Sequence, residues 1–303
     1  MSTRLPLPSR PLHASDALAR RQWLRAATAV TGAAWLLSPG AHAQALNDLF
    51  DGQGDPDQSP RWRMLHDKHF GARPVNPAPL GSLSLQVPAR AADPAFVPVV
   101  VRSTGVADAI RRLTLVVDEN PSPVAAIIDF PEGGALPEFE TRMRVDAYSF
   151  VRAVAETRSG QLLASARYVK ASGGCAAPGP TDAESLAHMG RMHFQADGPA
   201  TPGQPLRVTW RISHPNHSGL ARDQLTLHHI PAHFVRQLRL YQGQRLLLLA
   251  DLDFALSENP SLRFAFVPQG TDDVRAEVED SQGQRFSGGT PLAALLQGQG
   301  GAA

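Results

Sequence analysis

Cys175 is the only cysteine among the 303 residues, so the chain holds one thiol and can form no internal disulfide. Gly173-Gly174 precede it and Pro178-Gly179-Pro180 follow it. Glycine opens backbone angles closed to other residues and proline removes a hydrogen-bond donor, so the segment reads as a mobile arm that keeps the thiol out of a packed core. At an ordinary pKa near ~8.5, roughly 3% of such a thiol is thiolate at neutral pH, and nothing close by in sequence except Lys170 would lower that value. A cysteine hydrolase needs stronger activation, usually from a histidine base, whereas a carrier whose partners supply the activating groups does not. The pattern points to covalent cargo carrying and away from catalysis, with an incidental linker cysteine as the alternative.

Seven of the 11 histidines fall between positions 188 and 233: His188, His193, His214, His217, His228, His229 and His233. Imidazole enrichment of this kind permits a His-rich module for copper or zinc. The spacing opposes it, because His214-x-x-His217 runs through Pro215 and His228-His229 precedes Ile230-Pro231, neither of which forms a helical ligand pair. No metal site is expected. His214 instead shares the apolar parity of Trp210 and Ile212, as a residue at a strand end would. Asp272, Asp273, Glu277, Glu279 and Asp280 could pair for acid-base work, but they fall at a turn and on the charged face of an alternating strand, where a solvated role is expected. Asp51-Gly-Gln-Gly-Asp-Pro-Asp lacks the acid spacing and closing Glu of a calcium loop. A phosphate-cradling loop, a Gly-x-Ser-x-Gly elbow and a dinucleotide fingerprint are all missing from the sequence.

The elements that must position the thiol alternate with a period of two. Leu83, Leu85 and Val87 share one parity, as do Leu113, Leu115 and Val117. Segment 139–147 carries charges at 140, 142, 144 and 146, which predicts a strand with one wet face. Strands follow at 150–156 and 162–169 across Ser159-Gly160, a hairpin signal. Alternation stops at 171 and resumes at 206–212, then at 234–241 and 245–254 across Gln242-Gly243, at 262–267, and at 274–279 turning through Gln282-Gly283 into 284–287. Short strands at this spacing, with 26 Pro and 25 Gly, predict an all-β protein of two sandwich domains, 80–170 and 191–288, joined by a flexible Gly/Pro-rich linker at 171–190. A flexible leader at 44–79 with one short helix near 62–70, and a disordered tail at 289–303, complete the expected organisation.

The amino terminus reads as an export signal. Arg20-Arg21-Gln22-Trp23-Leu24-Arg25, an uncharged run at 26–37 and Ala41-His42-Ala43 supply a basic region, a short apolar core and a small-x-small cleavage site. The double arginine matches the twin-arginine pattern, which sets the expected mature start at Gln44 and the location as periplasmic. No later run reaches the ~18 apolar residues of a membrane span. Residues 1–43 carry five Arg against one Asp, so 24 basic and 27 acidic residues remain beyond them, a balance of about −3. That balance offers no clustered basic surface for nucleic acid.

Several motifs, in order, carry a resemblance. Val87-Pro-Ala-Arg and the strand running into Ser172-Gly-Gly-Cys resemble the SoxY subunit of the periplasmic thiosulfate-oxidising system. Ile212-Ser-His-Pro, Ile230-Pro-Ala-His-Phe-Val, Leu256-Ser-Glu-Asn-Pro and Val278-Glu-Asp-Ser-Gln-Gly resemble its SoxZ subunit. The chain thus looks like a fused SoxYZ-like carrier of the type associated with quinoprotein dehydrogenases. The resemblance implies immunoglobulin-like sandwiches and sulfur intermediates held covalently on Cys175, with Gly173 and Gly174 as the carrier arm. It also implies no cofactor and no catalytic residue, because the chemistry belongs to partner enzymes or cytochromes. One departure stands out: the two-chain cysteine sits near a free carboxyl end, whereas Ala176-Ala177-Pro178 follow Cys175 and tether the arm at both ends. The rival reading is a non-catalytic scaffold for a periplasmic dehydrogenase or cytochrome, with Cys175 dispensable.

Overall fold

The inward positions of the alternating segments are Val, Leu, Ile and Phe, residues that fit a pleated, half-buried surface, and they form strands as expected. The computed structural model describes residues 55–103, 110–179, 186–200, 203–298 and 300–302. The expected export signal and positions 51–54 of the acidic Asp51 stretch lie outside these residues. In the first half the strands are β1 (Val75–Pro77), β2 (Leu83–Gln86), β3 (Val97–Ser103), β4 (Ile110–Val117), β5 (Val124–Asp129), β6 (Ala135–Met143), β7 (Ser149–Thr157) and β8 (Leu162–Val169). In the second they are β9 (Met192–Ala196), β10 (Leu206–Ile212), β11 (Val235–Gln242), β12 (Arg245–Leu252), β13 (Ser261–Phe266), β14 (Val274–Asp280), β15 (Arg285–Thr290) and β16 (Gly300–Ala302). Helix α1 (Pro60–Phe70) precedes them and α2 (Leu292–Leu296) follows β15.

Both sheets run through both halves. Among the described residues one sheet is ordered β1-β8-β7-β4-β5-β12-β11-β14-β15 and the other β16-β9-β10-β13-β6-β3-β2. The joins are antiparallel ladders, β5 with β12 from Leu249↔Asp129 to Leu252↔Ala126, and β6 with β13 from Arg263↔Glu140 to Phe266↔Ala135. One large apolar core spans the two halves, taking Val99, Leu115 and Phe139 from one and Trp210, Leu240 and Phe264 from the other. The all-β sandwich fold is as the alternation implies, and the two sandwiches are fused edge to edge through shared sheets.

No strand is expected from the sequence at β1, β3, β5, β9 or β16. β5, Val-Ala-Ala-Ile-Ile-Asp, is a continuous apolar run without alternation, as expected for a central strand covered on both faces.

Three stretches expected to be loose are packed. In the leader, α1 occupies the expected place and inserts Trp62, Leu65 and Phe70 against Val116, Val154 and Leu162. Arg152 lies beneath Trp62, 4.1 Å from its ring centroid, and is paired with the buried Asp118. In the tail, Leu292 and Leu295 are one helical turn apart and both enter the core, while β16 pairs with β9. In the linker, 171–179 docks against the sandwich, as described below. Polar composition concealed all three, because a few well-placed apolar residues suffice to dock a short segment.

Two parity readings also change. β6 ends at Met143, so Arg144 leaves the wet face and is buried. Asp280 follows Val274, Ala276 and Val278 on the inward face of β14 and is buried as well.

Because the seam strands belong to both halves, calorimetry should show one unfolding transition. Phe264→Ala should destabilise the whole by about 3–5 kcal/mol. Two separate transitions would contradict this account.

Candidate functional site

The Cys175 thiol lies inside the protein, with 0% of the residue exposed, in a short 3-10 turn at Gly174–Ala176. The swinging, solvent-exposed arm inferred from sequence is therefore docked in this structure, and the glycines explain how. Gly173 takes φ +81, a left-handed conformation that costs a side-chain-bearing residue about 1–2 kcal/mol. A Cβ on Gly174 would stand 2.1 Å from the Pro94 carbonyl oxygen and 2.6 Å from that of Val145. One on Gly179 would stand 2.5 Å from the Pro215 oxygen. The missing side chains serve close approach as well as flexibility.

Loops from both halves form the bed. Gly173 N–H donates to the Asp146 carbonyl (2.7 Å) and Gly174 N–H to that of Val145 (3.2 Å). Cys175 N–H donates to Asp146 Oδ1 (3.1 Å). From the second half, Ser218 Oγ donates to the Cys175 carbonyl (2.5 Å). Arg144 binds the two carbonyls that flank the cysteine, donating from Nη1 to Gly174 O (3.4 Å) and Ala177 O (3.0 Å). Its Nη2 donates to Asn216 O (3.2 Å) and its Nε to Leu256 O (3.3 Å).

Asn216 couples this bed to the histidines. Held at φ +47, it donates from Nδ2 to Leu256 O (2.8 Å) and accepts Val235 N–H at Oδ1 (2.9 Å). Its own N–H donates to His214 Nδ1 (3.1 Å). Burial pushes His214 down to about 4, aided by the nearby His233, so the ring is neutral and its proton sits on Nε2. That nitrogen lies 3.6 Å from Asp280 Oδ2, which also accepts from His233 Nε2 at 2.7 Å. Burial alone would raise the Asp280 carboxyl, but His233 and the N–H groups of Gln284 and Gln282 hold it below the usual range.

The three ligand atoms of His214, His233 and Asp280 come within 4.8 Å of one another, a cluster that the sequence spacing did not reveal. Distance alone would permit a cation. His214 Nδ1 accepts the Asn216 N–H, so in the neutral ring its Nε2 carries the hydrogen and has no lone pair to offer unless that bond is given up. His188, His193, His228 and His229 lie apart from this group of ligand atoms.

The thiol is correspondingly unreactive here. Burial first, then the Asp146 carboxylate, push Cys175 up to about 12, against the opposing pull of Arg144. A neutral thiol is what this docked state stabilises.

Comparison with known proteins agrees with the motifs. The family described as "Sulfur oxidation protein SoxY" matches residues 67–175, and "Sulphur oxidation protein SoxZ" matches 195–291. The sulfur carrier protein SoxY from Chlorobium limicola f thiosulfatophilum is 25% identical over 36% of this chain and 94% of its own, with a TM-score of 0.31. A β-glycosidase from Bacteroides vulgatus aligns at 6% identity, over 69% of this chain and 24% of its own, with a TM-score of 0.21. SGBP-B of the Bacteroides ovatus mixed-linkage glucan utilization locus aligns at 13% identity, over 71% of this chain and 45% of its own, with a TM-score of 0.19. No curated protein matches. The motifs that carried the second-half resemblance all reach the bed or its histidine support: His214 and Pro215, His233, Leu256, and Asp280.

Two outcomes test the docked thiol. A raised cysteine pKa stabilises docking below about pH 9, the value of an ordinary thiol, and this stability is lost as pH climbs from 9 toward about 12. Alkylation by iodoacetamide at pH 8 should be about 100-fold or more slower than for the unfolded chain, and should accelerate through that window. Gly174→Ala should bring the rate near the unfolded value with far-UV circular dichroism unchanged. Equal rates in the two proteins would show that the bed does not shield the thiol.

Proposed function

The chain belongs to the SoxYZ family as a fused protein, a SoxY domain followed by a SoxZ domain, and from that premise we propose that it carries sulfur intermediates covalently on Cys175. The supporting observation is the bed itself: the only thiol of the chain is held at the junction of the two domains by groups from both. A protein in this role presents cargo to sulfur-oxidising partners and performs no turnover of its own. Loading of thiosulfate would form a bond between Cys175 Sγ and the outer sulfur, release the thiol proton, and deliver two electrons to an acceptor such as a partner cytochrome. The twin-arginine-like amino terminus favours the periplasm as the compartment.

Burial sets the terms of this cycle. A thiol with no exposed surface cannot meet an enzyme, so cargo exchange requires the arm to leave its bed. The docked arm is held by six hydrogen bonds described above, each contributing about 0.5–1.5 kcal/mol net, so the released form is a minor population. Partners that select or induce the released arm gain access to the sulfur. The tether at both ends presents that sulfur on a loop, which fits an open cleft better than a narrow channel.

The same burial favours a second reading, in which Cys175 is a packing residue and the domains scaffold a dehydrogenase or cytochrome. Cys175→Ser separates the two. In cells oxidising reduced sulfur compounds, the carrier reading predicts loss of that oxidation, and intact mass of the protein purified without reductant should show sulfur-bearing adducts absent from the variant. Full oxidation with Cys175→Ser, and no adduct on the natural chain, would leave the scaffold reading.

A further inference from the structure

Arg144 is 1% exposed, and among the described residues no carboxylate lies within ion-pair distance of its guanidinium. Its hydrogen bonds go to the backbone carbonyls of Leu256, Gly174, Ala177 and Asn216. Carbonyls take four of the five guanidinium N–H groups but give the positive charge no ion-pair partner, a costly state for a buried ion. The other buried arginine, Arg152, is fully paired with Asp118. Burial pulls the Arg144 pKa below the ordinary guanidinium value, and the nearby acids Glu258 and Asp93 oppose that pull without pairing with it.

A second group facing the arm is also unspent. His217 is 7% exposed, and its Nδ1 has no hydrogen-bond partner. That nitrogen lies 3.3 Å from the point where a Cβ of Gly179 would stand, with Glu258 Oε2 at 3.4 Å from the same point. A cation that grips both carbonyls beside the cysteine and an unpartnered imidazole nitrogen therefore line one bed. Two carboxylates also border the bed, Asp146 at the Cys175 N–H and Glu258 near the same point as His217 Nδ1, but among the described residues neither forms an ion pair with Arg144.

Resting on the carrier reading, we propose that Arg144 is the specificity residue of the docked arm, the counter-charge that retains Cys175 adducts ending in an anionic oxo group in preference to neutral ones. A sulfonate-terminated adduct brings a permanent negative charge and three acceptor oxygens to a guanidinium that has no ion-pair partner among the described residues. Such charge-assisted bonds are the strong class in a dry site. A neutral adduct of similar size gains none of this. The bed then distinguishes cargo by charge, and loss of the anionic group in a partner's active site weakens redocking.

Reagents can install the adducts without any partner enzyme. Tetrathionate forms the anionic Cys175–S–SO3⁻ adduct and releases thiosulfate and a proton. Methyl methanethiosulfonate forms the neutral methyl disulfide and releases methanesulfinate. Each is then removed by dithiothreitol, with its rate referred to the same adduct on the unfolded chain. The natural protein should protect the anionic adduct about tenfold better than the neutral one, as one charge-assisted hydrogen bond implies. Arg144→Gln, which also removes two of the hydrogen bonds that hold the arm, should lower protection of both adducts and abolish the preference between them, and Arg144→Lys should retain part of it. An identical preference in the natural protein and Arg144→Gln overturns the proposal. If Arg144→Gln does not fold, thermal unfolding of the two adducts of the natural protein decides: the anionic form melting higher supports it, and the anionic form melting at or below the neutral one overturns it. These outcomes are independent of enzymatic loading, so failure of the carrier reading registers only in the Cys175→Ser experiment.

Discussion

A guanidinium stays protonated at any accessible pH, so once it leaves water every N–H must find an acceptor. Arg144 imposes that demand at the centre of this protein. Its side chain takes the carbonyls of Gly174 and Ala177 on the arm, and of Asn216 and Leu256 in the second domain. Its backbone N–H donates to Ala255 O, and its carbonyl accepts from Asn120 Nδ2. The arm, the first domain and the second domain therefore meet at one residue. Removing any of the three strands donors in a dry interior.

The shared sheets make that meeting point rigid. The bed is assembled from loops at one end of the seam strands: residues 93–95 enter β3, 144–146 leave β6, 213–218 leave β10, and 253–259 connect β12 to β13. The ladders of β3 with β6, β6 with β13, and β13 with β10 fix these loops relative to one another. A site divided between two independently moving domains could not hold carbonyls and donors in register to a few tenths of an ångström.

Much of this was readable from the chain and some was not. Period-two alternation located β8 and β10 to the residue, because half-buried strands write their geometry into composition. The inward parity of His214 was equally plain. The glycines beside Cys175 were misread as freedom, since sequence records a missing Cβ but not whether the space is left open or filled by Pro94 and Val145. Arg144 was hidden by a strand that stops one residue before it. Asp280 carried a usable signal, core parity after Val274, Ala276 and Val278, which its charge masked. The grouping of His214, His233 and Asp280 was beyond reach, because their separation along the chain says nothing of the fold that joins β10, β11 and β14.

The tether beyond Cys175 acquires a kinetic meaning from the bed. An arm anchored on both sides never diffuses away, and contacts across loops of this size re-form in about 10–100 ns. On the carrier reading proposed above, a partner enzyme competes with an intramolecular process at high effective concentration. Bimolecular encounter at cellular concentrations cannot outrun such closure, so productive transfer depends on a complex already formed before the arm opens. On that reading the choice of partner resides in the outer surface of the sandwich, and the sulfur is committed to whichever enzyme is bound when its shelter lifts.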